Sequence, residues 1–139
     1  MSDVSEAEAK RGGPALTEGH FDKWLQAFGA AWQAENVAQL VNLFSRDASF
    51  YETPFSDGTH GRDAIARHWQ DSFDKQSDIR FMYQILALKD LSGVARWSAE
   101  LTLDEVGQAV TLDGIMDCEF VIDGRCSVAR LWWHRQENS

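Results

Sequence analysis

The hydrophobic pattern of this chain changes its period, and that change limits the folds open to it. Early in the chain, apolar residues recur every three or four positions, as on one face of an amphipathic helix. The clearest stripe consists of Phe21, Trp24, Leu25, Phe28 and Trp32. From residue 79 onward, apolar and polar residues mostly alternate, as in half-buried strands. Helices followed by a run of strands predict an α+β domain with an antiparallel sheet.

Three helices and one short strand are predicted before the long meander of strands. Thr17 is a suitable N-cap for the first helix, and Asn36 for a short second helix. Residues 47–55 have the aromatic and β-branched content of a strand, which Pro54 would end. The third helix opens near Gly61. Its inner stripe is Ile65, Trp69 and Phe73, with His68 predicted on its flank.

The length of 139 residues fits one domain with its own core. Residues 1–15 are polar and small, so we expect a disordered leader there, followed by a single domain over residues 16–139. Cys118 and Cys126 lack the spacing of a zinc site or a redox pair, and are predicted to be small buried hydrophobes.

The charge of the chain argues against two classes of partner. The formal net charge is −9, and neither nucleic acid nor an anionic membrane surface attracts such a protein without a basic patch. The sequence contains no apolar signal segment and no stretch long enough to span a bilayer. A cytoplasmic protein is therefore the default expectation.

The order of the elements resembles the nuclear transport factor 2-like superfamily, and several local strings resemble its SnoaL-like branch. The strings are Asp47-Ala48 leading to Thr53-Pro54-Phe55, Gly61-Arg62-Asp63-Ala64-Ile65 with Trp69, Ala95-Arg96-Trp97, Leu112-Asp113-Gly114-Ile115, and Asp123-Gly124-Arg125-Cys126 running on to Trp132-Trp133-His134. The resemblance implies a conical barrel, in which a curved antiparallel sheet packs on three N-terminal helices around an apolar pocket. It also implies that a homodimer is common.

The resemblance does not fix an activity, because relatives include ketosteroid isomerases, polyketide cyclases, limonene epoxide hydrolases and dehydratases. In ketosteroid isomerases the general-base Asp lies just before the proline of the first strand. That position is Thr53 in this chain, and a threonine cannot act as the base. Glu52 is a possible pocket carboxylate, and strand alternation points it to the face opposite Thr53.

The final hairpin allows two registers around Asp123-Gly124. With a tight two-residue turn, Asp113 lies opposite His134 and Asp117 opposite Arg130, which gives two acid–base pairs on one face. Such pairs are equally compatible with plain cross-strand ion pairing on a solvated or dimer face.

With a loop one residue longer, an apolar face forms and contains Arg130 and His134. Its members are Leu112, Met116, Cys118, Phe120, Cys126, Val128 and Trp132. Polar groups on such a face must be paired or line a cavity. We favour the longer loop because this apolar set is coherent. A slip of one residue changes which side chains share a face, so the sequence leaves both registers open.

Three functions are compatible with these residues. The first is a cofactor-independent enzyme acting on a small apolar molecule, with Asp113 and His134 as the acid–base pair, Arg130 stabilising negative charge and Glu52 as a further carboxylate. The pocket lining is predicted to be Trp69, Tyr83, Trp97, Met116 and Trp132.

The second function is a non-catalytic module that binds a small apolar ligand or a partner protein. The third is an accessory subunit that pairs through its outer sheet face, to which Val94, Leu131 and Trp133 are predicted to contribute. A homodimer is expected through the same face. The four histidines are scattered, so no metal site is predicted, and no cofactor-binding motif is present.

Overall fold

The computed structural model describes residues 15–138, so the predicted leader lies outside the described residues except for Ala15. In chain order the elements are α1 (Glu18–Gln33), α2 (Val37–Val41), β1 (Phe44–Tyr51), β2 (Thr59–His60), α3 (Arg62–Phe73), β3 (Gln76–Lys89), β4 (Ser92–Leu103), β5 (Gln108–Phe120) and β6 (Cys126–Glu137). None of the helices in residues 15–138 is long and apolar enough to cross a membrane.

The first two helices begin where the sequence predicts, because their caps satisfy free backbone N–H groups. The Thr17 side chain accepts a hydrogen bond from the backbone N–H of His20 at 3.0 Å, and the Asn36 side chain accepts one from Gln39 at 3.0 Å. The predicted apolar stripes of α1 and α3 are buried, which confirms both inner faces.

A six-stranded sheet covers the helices, in the order β2-β1-β6-β5-β4-β3. The long strands β3 to β6 form an antiparallel meander, as predicted from their alternation. The first strand ends at Tyr51, earlier than the sequence indicates, and it runs parallel to β6. The sheet is therefore curved, unclosed and mixed, and the predicted α+β architecture is confirmed with this one difference in strand direction.

The final hairpin combines features of both predicted registers. Phe120 pairs with Cys126, as in the longer loop, but Glu119 pairs with Val128. Ser127 is thus the extra residue of a β-bulge, and its hydroxyl donates to the carbonyl oxygen of Glu119 at 3.1 Å. Beyond the bulge the pairing follows the tight-turn register.

The bulge decides which face each residue of β6 occupies. Asp113 lies opposite His134 and Asp117 opposite Arg130, on the outer face of the sheet. The apolar face favoured by the sequence, which contained Val128 and Trp132, is therefore wrong, because one inserted residue moves them to the other side. Ala129 and Leu131 take the inner positions and are buried, and Trp133 faces the same side. The prediction that Leu131 and Trp133 lie on the outer face is therefore wrong.

The inner face of the sheet and the helices enclose an aromatic core. Cys118 and Cys126 are buried in it and not bonded to each other, as predicted. Gly114 of β5 lies between Trp97 on β4 and Trp133 on β6. A Cβ at Gly114 would overlap the carbonyl oxygen of Trp132 and lie 2.7 Å from the Cα of Trp133. The missing side chain therefore allows the two strands to approach closely.

Candidate functional site

A cavity of about 80 Å³ lies between the inner face of the sheet and helix α3. Its wall combines aromatic, aliphatic and polar side chains: Trp32, Glu52, Trp69, Ser72, Gln76, Trp97, Leu101, Leu103, Val110, Leu112, Leu131, Trp133 and Arg135. Sites for drug-sized ligands measure about 300–1,000 Å³, and a cavity of about 150 Å³ holds benzene. A ligand in this cavity would thus be smaller than benzene, and it would meet polar groups.

The cavity contains a carboxylate that is paired with a histidine. Glu52 follows β1 directly, and its Oε1 lies 2.5 Å from Nε2 of His68 on α3. Both side chains are about one-third exposed. The His68 ring packs against Phe50 and Trp69, with centroid distances of 5.4 and 6.2 Å. The strand end and the helix thus hold the two groups at hydrogen-bond distance beside the cavity.

The Glu52 carboxylate raises the pKa of His68 above its ordinary 6.5, chiefly through their hydrogen bond. Partial burial of the imidazole opposes this change, while the negative charges of Glu52 and Asp71 add to it. The contact with Glu52 therefore favours the charged form of His68. A carboxylate and an imidazolium in contact can hold and release one proton close to physiological pH.

Removing the carboxylate should lower the pKa of His68. We expect Glu52→Gln to lower it markedly, and Asp71→Asn to lower it less, because Asp71 acts only through its charge. Following the His68 ring protons by NMR as a function of pH measures both effects. A pKa that is unchanged in Glu52→Gln would contradict the pairing.

The same shift gives the pair a pH-dependent effect on stability. Because the folded-state pKa of His68 lies above the unfolded value, the stabilisation is complete below about pH 6.5 and is lost as the pH rises through the folded-state pKa. Both groups are partly exposed, so the effect is screened by solvent.

Two tryptophans of the cavity wall carry buried indole N–H groups without a protein partner. Trp69 is 3% exposed and Trp97 is 1% exposed, and no residue within 15–138 accepts a hydrogen bond from either Nε1. By contrast, Trp32 donates to Oε1 of Gln76 at 3.2 Å. A buried donor without a partner costs about 1–3 kcal/mol, so these two groups are unusual features of the core.

Three predicted site residues border the cavity, namely Glu52, Trp69 and Trp97. Two others lie elsewhere in the interior. Met116 is fully buried outside the cavity wall. The Tyr83 hydroxyl donates to a carboxylate oxygen of Asp22 at 2.5 Å, which ties β3 to α1. Their predicted contact with a ligand therefore has no support from the geometry.

The other four predicted site residues lie on the outer face of the sheet. Asp113 accepts hydrogen bonds from Arg96, at 2.9 Å to its Nη2. Arg130 binds the carboxylates of Asp117 and Glu119 at 3.0 and 2.9 Å. His134 and Trp132 are exposed. The strands thus separate these side chains from the cavity, and the structure does not bring them together with Glu52.

Sequence reasoning assigned His68 to the flank of the third helix and did not single out Arg135, although both border the site. His68 stands next to the buried Trp69 on α3, and that neighbour is a weak signal that the imidazole lies near the inner face. Arg135 borders the cavity, and its exposed guanidinium lies 3.8 Å from Glu137. The tight-turn register places Arg135 on the cavity side, whereas the longer-loop register that the sequence favoured does not, so alternation alone could not find it.

No group of three or more His, Cys, Asp or Glu side chains in residues 15–138 is arranged to hold a metal ion. Thr53, which stands at the position of the ketosteroid isomerase base, accepts a hydrogen bond from the backbone N–H of Phe55 at 3.3 Å. Its hydroxyl therefore stabilises the turn after β1.

Comparison with known proteins defines the fold first and the family second. A crystal structure described as "Putative Isomerase from Bacillus subtilis" superposes with a TM-score of 0.74 and 20% identity, over 86% of this chain and 90% of that one. The fold is thus that of the nuclear transport factor 2-like proteins. The profile of the SnoaL-like domain matches residues 25–129, and the chain belongs to this family. No curated protein matches the sequence.

Proposed function

We propose that the protein is an enzyme that catalyses proton transfer on a small organic molecule held in the cavity beneath α3. The observation that carries this proposal is the contact between Glu52 and His68 at the cavity wall. Membership of a family whose fold hosts isomerases and cyclases is compatible with it, although fold alone does not decide activity.

Glu52 is the proposed catalytic residue, because its side chain borders the cavity and can reach a bound molecule. His68 is a positioning residue that acts through Glu52, since it holds one carboxylate oxygen and supplies positive charge. The other carboxylate oxygen remains available to accept a proton from the substrate. The small cavity volume restricts the substrate to a few non-hydrogen atoms in this conformation.

The proposal is tested by deuterium exchange, which reports proton transfer at carbon even when the product is unidentified. A panel of small ketones, aldehydes, esters and nitriles is incubated with the protein in D₂O, and deuterium incorporation is followed by NMR. We expect exchange faster than in buffer for at least one compound. Exchange at the buffer rate throughout would contradict the proposal, and specific binding without exchange would favour a non-catalytic binding module.

We also propose that the outer face of the sheet pairs with a second copy of the chain. Exposed apolar side chains of this face stand on β3, β5 and β6, with exposed fractions of 51% for Met82 and 49% for Leu86 on β3, 44% for Ile115 on β5 and 43% for Trp132 on β6. Ile115 and Trp132 are directly opposed between β5 and β6. Apolar side chains on adjacent strands form a patch of the kind that marks an interface.

A charge placed in this patch should dissociate the dimer. We expect the wild-type protein to sediment as a dimer and Trp132→Glu to sediment as a monomer, because a desolvated charge opposes association. Val106→Glu is the matched control, since Val106 is 71% exposed in the turn after β4 and away from the sheet face. A wild-type protein that remains monomeric at high concentration would refute pairing through this face.

A further inference from the structure

We infer that an open groove between β1 and the first half of α3 binds a small phosphate monoester. The groove has a volume of about 520 Å³, and it is bordered by Arg46 on β1 and by Arg62 and Arg67 on α3. It shares no bordering residue with the cavity beneath α3. The groove is therefore a second site, and its ligand is independent of the proposed proton transfer.

The three arginines of the groove are not neutralised by acidic side chains. Most other arginines within residues 15–138 form an ion pair with a carboxylate, namely Arg96, Arg125, Arg130 and Arg135. In the same part of the chain, no ion pair includes Arg46, Arg62 or Arg67. On a protein of net charge −9, the groove thus concentrates positive charge that is available to an anion.

One of these arginines is fixed by the backbone, and the other two are accessible. Arg62 is half-buried, and its Nη2 donates a hydrogen bond to the carbonyl oxygen of Phe44 at 2.7 Å, which ties the start of α3 to the start of β1. Arg46 and Arg67 are exposed. Their guanidinium groups can therefore turn toward a ligand in the groove, while Arg62 keeps its two walls together.

The histidine of the groove is already engaged. His60 borders the groove, but its Nδ1 contacts the Ser49 hydroxyl at 2.9 Å and its Nε2 contacts the carbonyl oxygen of Asp57 at 2.8 Å. Both ring nitrogens thus have partners within β1, β2 and the turn between them. The contacts with an anion are left to the arginines.

The number of guanidinium groups favours a phosphate over a carboxylate. A phosphate monoester offers three acceptor oxygens and a charge of about −1.5 to −2 near neutral pH, whereas a carboxylate offers two oxygens and one charge. The planar fork of arginine donates two parallel hydrogen bonds to either group. Several arginines around one groove therefore gain more from a phosphate.

Two carboxylates in the wall restrict the rest of the ligand. Asp47 and Asp63 border the same groove, and they oppose a second negative group there. Because a carboxylate accepts hydrogen bonds, both residues favour a ligand that carries hydroxyl groups beside its phosphate. The volume of the groove lies within the range of about 300–1,000 Å³ that is usual for small-molecule sites, so such a ligand has room.

Backbone amide signals test this inference without an enzymatic assay. The probe is glycerol 3-phosphate, titrated into the ¹⁵N-labelled protein at constant ionic strength. We expect the signals of Arg46 and of residues 61–67 to shift and to reach saturation. Glycerate, which carries hydroxyl groups and a carboxylate but no phosphate, should bind at least about 10-fold more weakly, as expected for the loss of one charged hydrogen bond.

Two variants and a matched control locate the anion. Arg46→Gln and Arg67→Gln should each weaken the binding of glycerol 3-phosphate by about 10-fold, because each loses a charged hydrogen bond. Arg80→Gln removes the same charge from an exposed arginine of β3 that forms no ion pair within residues 15–138 and does not border the groove. It should bind the probe as the wild type does.

The wild-type titration is decisive even if a variant fails to fold. Signals that do not saturate with glycerol 3-phosphate would overturn the inference, and so would glycerate binding of equal strength. An equal loss of affinity in Arg80→Gln and Arg46→Gln would also overturn it, since overall charge and not the groove would then hold the anion. None of these results bears on deuterium exchange, so the two proposals fail separately.

Discussion

The Glu52→Gln substitution is expected to reduce protein-catalysed deuterium exchange by about 10²–10⁴-fold, the usual contribution of a general base. Glutamine has the size of glutamate but cannot take up the proton. The carboxylate borders the cavity and is held by His68, so its replacement removes the base while the wall of the cavity keeps its shape. The exchange rate of the most reactive compound in the panel measures the effect.

Two further variants make this prediction specific. Glu100→Gln removes an exposed carboxylate from the outer face of β4, and it should exchange at the wild-type rate. The rate of exchange by the wild-type protein should change with pH around the pKa measured for His68. If Glu52→Gln retains any activity, the pH at which its rate changes should be shifted. If Asp113→Asn abolished exchange and Glu52→Gln did not, the reaction would take place at the outer face of the sheet, and the proposed role of Glu52 would be wrong.

The Gly114→Ala substitution is expected to lower the free energy of unfolding by about 3 kcal/mol or more, at the upper end of overpacking effects. The added methyl group would overlap the carbonyl oxygen of Trp132 and crowd the Cα of Trp133. Both are backbone atoms, so no side-chain rotation relieves the clash. Strands β5 and β6 would have to separate where Gly114 pairs with Trp133, at the wall of the cavity.

Urea unfolding followed by tryptophan fluorescence measures this loss. Gly19→Ala in α1 is the control, since a Cβ there meets no atom within 4 Å. It should raise stability by up to about 1 kcal/mol, because alanine favours the helix more than glycine does. Equal stability of Gly114→Ala and the wild type would show that the close approach of the strands is not required.

The sequence predicts the helices and the meander well, because burial follows a simple period in each. The stripe of α1 and the inner positions of β4, such as Trp97 and Leu101, are buried as expected. The parallel pairing of β1 with β6 was not predicted, since it joins segments far apart in the chain and no local pattern encodes it. The alternation of apolar and polar residues predicts a strand, but it does not predict which strand pairs with it.

The candidate site is less predictable for two physical reasons. Relative to the longer-loop register that the sequence favoured, the bulge at Ser127 shifts β6 by one residue, which moves Arg130 and His134 to the outer face and Arg135 to the cavity. In addition, Glu52 and His68 meet only because α3 folds back along β1, and their spacing in the sequence does not predict that contact. The sequence predicts that aromatic side chains line the cavity, but it does not predict how the charged groups of the wall pair.

The parallel contact between β1 and β6 affects the order in which the molecule can be assembled. During synthesis, β1 leaves the ribosome long before β6, and until β6 arrives its only strand neighbour among the described residues is the two-residue β2. One edge of β1, the strand that Glu52 follows, therefore stays unpaired until β6, the last strand of the sheet, docks against it. We expect the candidate site to be completed in the last step of folding, after the helices and the β3–β5 hairpins have formed.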